Sequence, residues 1–233
     1  VTGNVVKHAA LALRERFSTL LKAKFGGETS EVLFGAEAVS MGGERLGWQE
    51  VYDLLEQSPE GTSVEVRYSA PQTNPLELGG RIHVAYGFAA QAVKVSIDLE
   101  NGDVKILQVI VASDAGRVIN PLGFQSQVEG GIVMGVGHGL MEEFRVENGI
   151  VLSDRMARYE IPRMKDSPLV ESLIVEDPTS EGPFGAKGIG ELVCVPTPPA
   201  IANAVYNAIG LRVDSLPVRK DKIKTWLESQ RPD

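Results

Sequence analysis

Between Gly182 and Gly190 the chain places four glycines in nine residues, at 182, 185, 188 and 190. A single carboxylate, Glu191, then stands at the entrance of the apolar run LVCVPTPPAIANAV. Glycines allow backbone conformations closed to other residues and let the main chain approach a ligand without a Cβ in the way. A carboxylate among apolar neighbours has the tuning a general base needs near neutral pH. The competing reading gives Glu191 an exposed ion pair with Lys187, worth under about 1 kcal/mol. Spacing alone does not separate the two.

A second stretch, NPLGFQSQVEGGIVMGVGHGL over 120–140, carries Gly131, Gly135 and Gly139 at intervals of four on a predicted helix. Each glycine costs a helix about 1 kcal/mol relative to alanine, so a stripe of them needs a reason. Either another backbone packs against it or a ligand approaches the main chain. Gln125, Gln127 and Glu129 occupy the early turns, where free N–H groups and the positive end of the helix dipole suit an anionic ligand such as a phosphate or a dithiolene. A glutamine there can donate to a ligand oxygen. GVGHG is not a nucleotide fingerprint, because it follows no suitable strand and has no acidic partner about 20 residues on. No serine–histidine–acid set and no paired carboxylates stand out.

Bulk properties narrow the field. The 233 residues suffice for one large domain or two small ones, and 43% hydrophobic with 23% charged residues is a globular composition. A net charge of −8 argues against nucleic acid, the cluster Arg219, Lys220, Lys222 and Lys224 reading as a solvated helix face. One cysteine, Cys194, leaves no internal disulfide, no Cys-based zinc site and no iron–sulfur cluster. His8, His83 and His138 lack ligand spacing, so no metal held by side chains is expected. No apolar run nears the roughly 20 residues of a membrane span and no signal peptide opens the chain, which makes the cytoplasm the default location. The start at Val1, inside a helical pattern, reads as an excised piece or a processed subunit.

The elements that must position these residues follow from periodicity. A helix is predicted over Asn4–Lys24, two short strands within 31–47 with a turn at Gly42-Gly43, a short helix over 49–57 and a strand over 62–69. The loop APQTNPLELGG, 70–80, supplies an internal sub-boundary. QAVKVSIDL and VKILQVIVAS flank Asn101-Gly102, and EEFRVE and IVLS flank Asn148-Gly149, both read as type I′ hairpins. Further strands are expected at 157–161 and 170–175. Long helices begin at Asn120-Pro121 and at Thr197-Pro198, the second capped by Thr197 and ended by Gly210, and a terminal helix covers 220–229. Blocks of hairpins and helices indicate an α+β fold, antiparallel hairpins packed with long helices, rather than a parallel doubly wound sheet.

SDAGRVINPLGFQSQVEGGIVMGVGHGLMEEF resembles the D-x-G-x-x-[IL]-N-P…Q-x-x-G-x-x-x-x-G-x-G…E-E segment of molybdenum hydroxylase large subunits. GAKGIGELVCVPTPPAIANAVYNAIGLRVDSLPV is similar to the same family's K-G-x-G-E…P-A-[IV]-x-N-A-[IV]-x-x-A-x-G…LP ending. This is the xanthine dehydrogenase and aldehyde oxidase family. The opening VTGNVVKHAA also resembles a mid-subunit stretch, and the likeness is collinear from Val1 to about Val218.

The resemblance implies that residues 1–233 are the C-terminal lobe of a molybdopterin-binding subunit. It makes Glu191 the catalytic glutamate, Gln127 a contact of the molybdopterin cofactor, and Gly188 and Gly190 the places where main chain lies beside the metal centre. Metal ligands then come from the dithiolene and from oxygen or sulfur, none from side chains. Iron–sulfur clusters and FAD belong to other domains or subunits. Implied partners are a small-molecule substrate, the remainder of the large subunit and the iron–sulfur and flavin subunits, in a complex that can itself be a homo-oligomer. The implied reaction is oxidation of a purine-like N-heterocycle or an aldehyde with water as oxygen source, this piece being inactive alone. Glu191-Leu192-Val193 departs from the prolines that often follow the family's glutamate, which leaves the substrate open. The alternative is a non-catalytic binding or assembly domain that retains the fold.

Overall fold

Helix α1 (Thr2–Phe25) stops at Gly26, whose φ of 78° suits glycine, and Leu21 is its main buried apolar residue. Strands β1 (Leu33–Phe34), β2 (Ala38–Met41) and β3 (Glu44–Gly47) form an antiparallel sheet, one strand more than the sequence predicts. The β2–β3 turn uses Gly42 and Gly43 at φ 58° and 88°. Helix α2 (Trp48–Glu56) follows, its Glu50 carboxylate accepting from the Gly47 N–H at 2.7 Å. Leu21, Val32, Val39, Met41, Leu46 and Val51 make the core. The predicted strand over 62–69 pairs with no other strand among the described residues. This computed structural model describes residues 1–27, 32–59, 61–74 and 82–230. The chain divides into two units, Val1–Ile82 and His83–Asp233. Residues 75–80 of the loop predicted over 70–80, where the sub-boundary was expected, lie outside the described residues.

The second unit carries every candidate site residue. Strand β4 (Phe88–Ile97) pairs antiparallel with β5 (Val104–Asp114). Their connection is not the expected type I′ turn. Asn101 is not among the residues with positive φ, and the Asp98 carboxylate instead collects the N–H groups of Glu100 and Asn101 at 2.8 and 3.2 Å in a longer loop. Helix α3 (Pro121–Leu140) starts as its sequence predicts, the Asn120 side chain accepting from the Gly123 N–H at 3.0 Å. The hairpin β6 (Val146–Glu147) and β7 (Ile150–Val151) turns through Asn148 and Gly149, both at positive φ. The strand expected over 157–161 is replaced by turns on the Arg155 carbonyl.

Strand β8 (Leu169–Val175) then lies parallel to β5, which the sequence does not predict. Parallel pairing requires a crossover, and α3 supplies it. Helix α4 (Thr197–Ile209) begins one residue earlier than expected: Pro196 is its cap and Thr197 its first residue. Gly210 (φ 78°, ψ 0°) ends it in the left-handed conformation, and α5 (Lys220–Ser229) follows. Val109, Val111, Phe124, Val128, Ile132, Val136, Val193 and Ile201 join the sheet to α3 and α4 in one core.

The glycine stripe of α3 belongs to that core. A Cβ at Gly131, Gly135 or Gly139 would overlap the side chains of Val193, Thr197 and Ile201 respectively. Both series advance by four residues, so α3 offers a bare edge into which the other segment seats one side chain per turn. Close helix packing, rather than a ligand, is the reason for these glycines. Gly130 on the same helix meets nothing within 4 Å. Gly135→Ala is therefore expected to lower stability by about 1–3 kcal/mol through overpacking. Gly130→Ala should raise it by about 1 kcal/mol through helix propensity. Urea unfolding midpoints of the two variants measure the contrast.

Candidate cofactor-facing site

Two sets of contacts hold the segment that carries Glu191. On one side, Val193 sits in the notch at Gly131 and its carbonyl accepts from the Gln91 amide at 2.6 Å. The buried Thr197 hydroxyl lies 2.8 Å from the same carbonyl and 2.9 Å from Gln91 Oε1, and can donate to either. Gln91 was legible only as a strand residue. Its signal was a polar side chain in the inward register of β4, where Val93, Val95 and Ile97 follow it.

On the other side, the loop after β8 is tied to the end of β5. Lys187 Nζ lies 2.7 Å from the Asp114 carboxylate and 3.1 Å from that of Asp177, with only 6% of the Lys187 and Asp114 side chains exposed. Asp114 also accepts from the Gly116 N–H at 2.8 Å. Main-chain bonds complete the join, from Lys187 N–H to the Ala115 carbonyl at 2.7 Å and from Arg117 N–H to the Gly185 carbonyl at 3.0 Å. Gly116, at φ 63°, has no room for a side chain, since a Cβ would overlap the Gly185 carbonyl. Burial pushes the Asp114 carboxyl up, but the bonds from Lys187 and Gly116 outweigh it and hold the group below its ordinary value. The bond to Asp114 holds the Lys187 ammonium above its own ordinary value despite burial. Lys187 thus serves Asp114 and Asp177, and the pair with Glu191 considered from sequence does not form.

What these anchors present is an exposed edge made of Gln127, Gly188, Gly190 and Glu191. A Cβ on Gly190 would stand 3.6 Å from Gln127 Oε1, so residues 63 positions apart meet here, while Gly188 opens onto free space. Glu191 is exposed rather than enclosed by the apolar run. The turn over 190–196 directs Val193 and Cys194 inward and leaves Glu191 and Val195 outward. Among the described residues no hydrogen bond or ion pair engages the Glu191 carboxylate or the Gln127 amide, and no acceptor meets the main-chain N–H groups of residues 188–191. Gln125 differs, donating to Glu129 at 2.7 Å along its own helix. Unbonded N–H groups, a free amide and two glycines that open a gap between side chains fit a group rich in oxygen and sulfur acceptors. Among the described residues no cluster of three or more His, Cys, Asp or Glu could hold a metal ion by itself, and no helix is long and apolar enough to cross a membrane.

A family model described as a molybdopterin cofactor-binding domain matches residues 1–168. The chain belongs to this family. Gln127 lies inside the matched region, and Gly188, Gly190 and Glu191 lie beyond it. The molybdopterin-binding chain is 32% identical over 224 residues to a probable xanthine dehydrogenase subunit of Bacillus subtilis (strain 168), covering 94% of this chain and 30% of that protein. It is 41% identical over 140 residues to the aldehyde oxidoreductase molybdenum-binding subunit of Escherichia coli (strain K12), covering 58% of this chain and 19% of that one. The chain thus spans less than a third of the length of these relatives. In fold it matches the Cu,Mo-CO dehydrogenase in its carbon monoxide reduced state, at a TM-score of 0.81 over 98% of this chain and 29% of that one, with 21% identity. The recognised family and its cofactor agree with the expectation from sequence.

The ion pair behind the site makes a measurable claim. Lys187→Met removes the cation beside the Asp114 carboxylate and is expected to lower the unfolding free energy. In the parent, the Asp114 contribution is complete above its ordinary value of 3.8 and is lost as pH falls through the lower native value. The Lys187 contribution is complete below 10.5 and is lost as pH rises through the higher native value. Denaturant melts across pH should show both losses in the parent and flatter acid and alkaline arms in the variant.

Proposed function

We propose that this chain forms one wall of the cofactor site in a molybdenum hydroxylase of the xanthine dehydrogenase and aldehyde oxidase type, with Glu191 as its general base. The observation that carries the reading is the meeting of Gln127, Gly190 and Glu191 on one exposed edge whose polar groups have no partner among the described residues. When bound, the molybdenum cofactor supplies two-electron oxidation, its metal held by a dithiolene and by oxygen or sulfur. The chain's residues do the rest. The Gln127 amide donates to an acceptor on the cofactor, and the main chain at Gly188 and Gly190 lies close because no side chain intervenes. Glu191 would be screened from water once cofactor and substrate are bound, and its carboxylate would act as the base that takes the proton. The proton comes from the water that provides the oxygen.

The substrate class is a purine-like N-heterocycle or an aldehyde, in keeping with the chain's similarity to a probable xanthine dehydrogenase subunit and an aldehyde oxidoreductase subunit. In the complete assembly, iron–sulfur clusters and FAD on other domains or subunits would supply electron transfer away from the site, and the working complex would be cytoplasmic. Because the chain spans less than a third of its relatives, it is inactive without the remainder of the subunit.

Glu191→Gln in the complete, molybdenum-loaded subunit keeps the shape and removes the base. It is expected to lower kcat by about 10²–10⁴-fold with metal content unchanged. Molybdenum content by mass spectrometry and turnover of an aldehyde and a purine panel decide it. Parental turnover would make the chain a binding or assembly domain instead. Gln127→Ala should reduce molybdenum content while leaving the fold intact.

A further inference from the structure

We propose that His138 and Glu142 are positioning residues for Glu191, acting through the Cys194 thiol; this rests on the reading of Glu191 as the base. The four side chains Cys194, His138, Glu142 and Tyr159 form a line that runs from the buried thiol through the half-exposed His138 ring. Cys194 Sγ lies 3.6 Å from His138 Nδ1, His138 Nε2 lies 3.5 Å from Glu142 Oε2, and the Tyr159 hydroxyl donates to the same oxygen at 2.8 Å. The line ends on the site, because the Cys194 N–H donates to the Glu191 carbonyl at 3.1 Å.

Chemistry fixes the direction of each bond. Cys194 is 8% exposed, and burial, with the Glu142 and Glu191 carboxylates, pushes its thiol up, so it keeps its S–H and can donate toward the ring. The Glu142 carboxylate can only accept, which places the proton of the neutral ring on His138 Nε2 and leaves Nδ1 to accept from the thiol. The bond to Glu142, then burial, holds the Tyr159 hydroxyl above its ordinary value, which keeps that end a donor. Glu142 itself is fixed: its N–H donates to the Gly137 carbonyl at 2.8 Å, and its carboxylate occupies space that a side chain at Gly137 would take. The side chain at 138 must accept from a thiol and donate to a carboxylate at once. Glutamine can do both and leucine neither.

Val193 in its glycine notch holds the turn by shape, and the Cys194 thiol holds it by this polar line. Losing the second leaves the core packed but lets the Glu191 main chain drift. A displacement of about 1 Å can cost a reaction up to a hundredfold.

Cys194 is the chain's single cysteine, so its labelling by a maleimide reports on the turn without ambiguity. In the full 233-residue chain, His138→Leu is expected to speed labelling about tenfold or more by freeing the turn to open, with His138→Gln within about twofold of the parent. In the complete molybdenum-loaded subunit, His138→Leu should lower kcat about tenfold with KM and metal content unchanged, and His138→Gln should restore it. Equal labelling of all three proteins overturns the proposal, whatever Glu191 does. So does a loss of metal in step with kcat in His138→Leu, since that marks fold support alone. Full turnover in Glu191→Gln defeats the base reading instead, a result the labelling rates do not depend on.

Discussion

The site stands on a fit between a helix edge without side chains and three side chains that fill it. Gly131, Gly135 and Gly139 of α3 receive Val193, Thr197 and Ile201, so the start of α4 and the turn before it are set by contact with a backbone. Backbone is the least deformable surface a protein offers, and packed interiors tolerate little change in volume. Glu191, two residues before Val193, inherits that placement. The helix gives up about 1 kcal/mol of propensity at each glycine, and the burial of Val193, Thr197 and Ile201 offsets it.

Polar contacts then complete what shape begins. Gln91 grips the Val193 carbonyl from the sheet, and the Asp114–Lys187 pair ties the glycine-rich loop to the end of β5. These groups are buried or half-buried and mutually satisfied, whereas Gln127, Glu191 and the N–H groups of 188–191 have no partner among the described residues. The division is physical. Unpaired polar groups are costly inside and cheap in water, so a surface that waits for a ligand must be left outside.

Much of this was legible in the sequence, for local reasons. Asn120-Pro121 marked the start of α3 and Gly210 the end of α4, because caps depend on a few adjacent residues. Asn148-Gly149 marked a hairpin in the same way. What failed was non-local. The parallel pairing of β5 with β8 depends on a crossover that no strand pattern announces. The strands expected at 62–69 and 157–161 had the composition but no partner among the described residues. Glu191 was expected among apolar neighbours because they adjoin it in sequence, and the turn sends them inward and the carboxylate out. Lys187 was within reach of Glu191 by spacing, yet its buried partner Asp114 lies 73 residues away.

The crossover also determines where this architecture can change. The glycine notch and the Asp114–Lys187 pair lie at or before the end of α3 or after β8, and the β6–β7 hairpin hangs between Glu142 and Tyr159 with Val146, Ile150 and Val151 exposed. Closing a longer excursion is inexpensive, about 0.6 kcal/mol for each doubling of its length. The hairpin tip at Asn148-Gly149 can therefore grow or shrink while the anchors stay in place. A scaffold of this kind separates the part that must be kept from the part that is free to diversify.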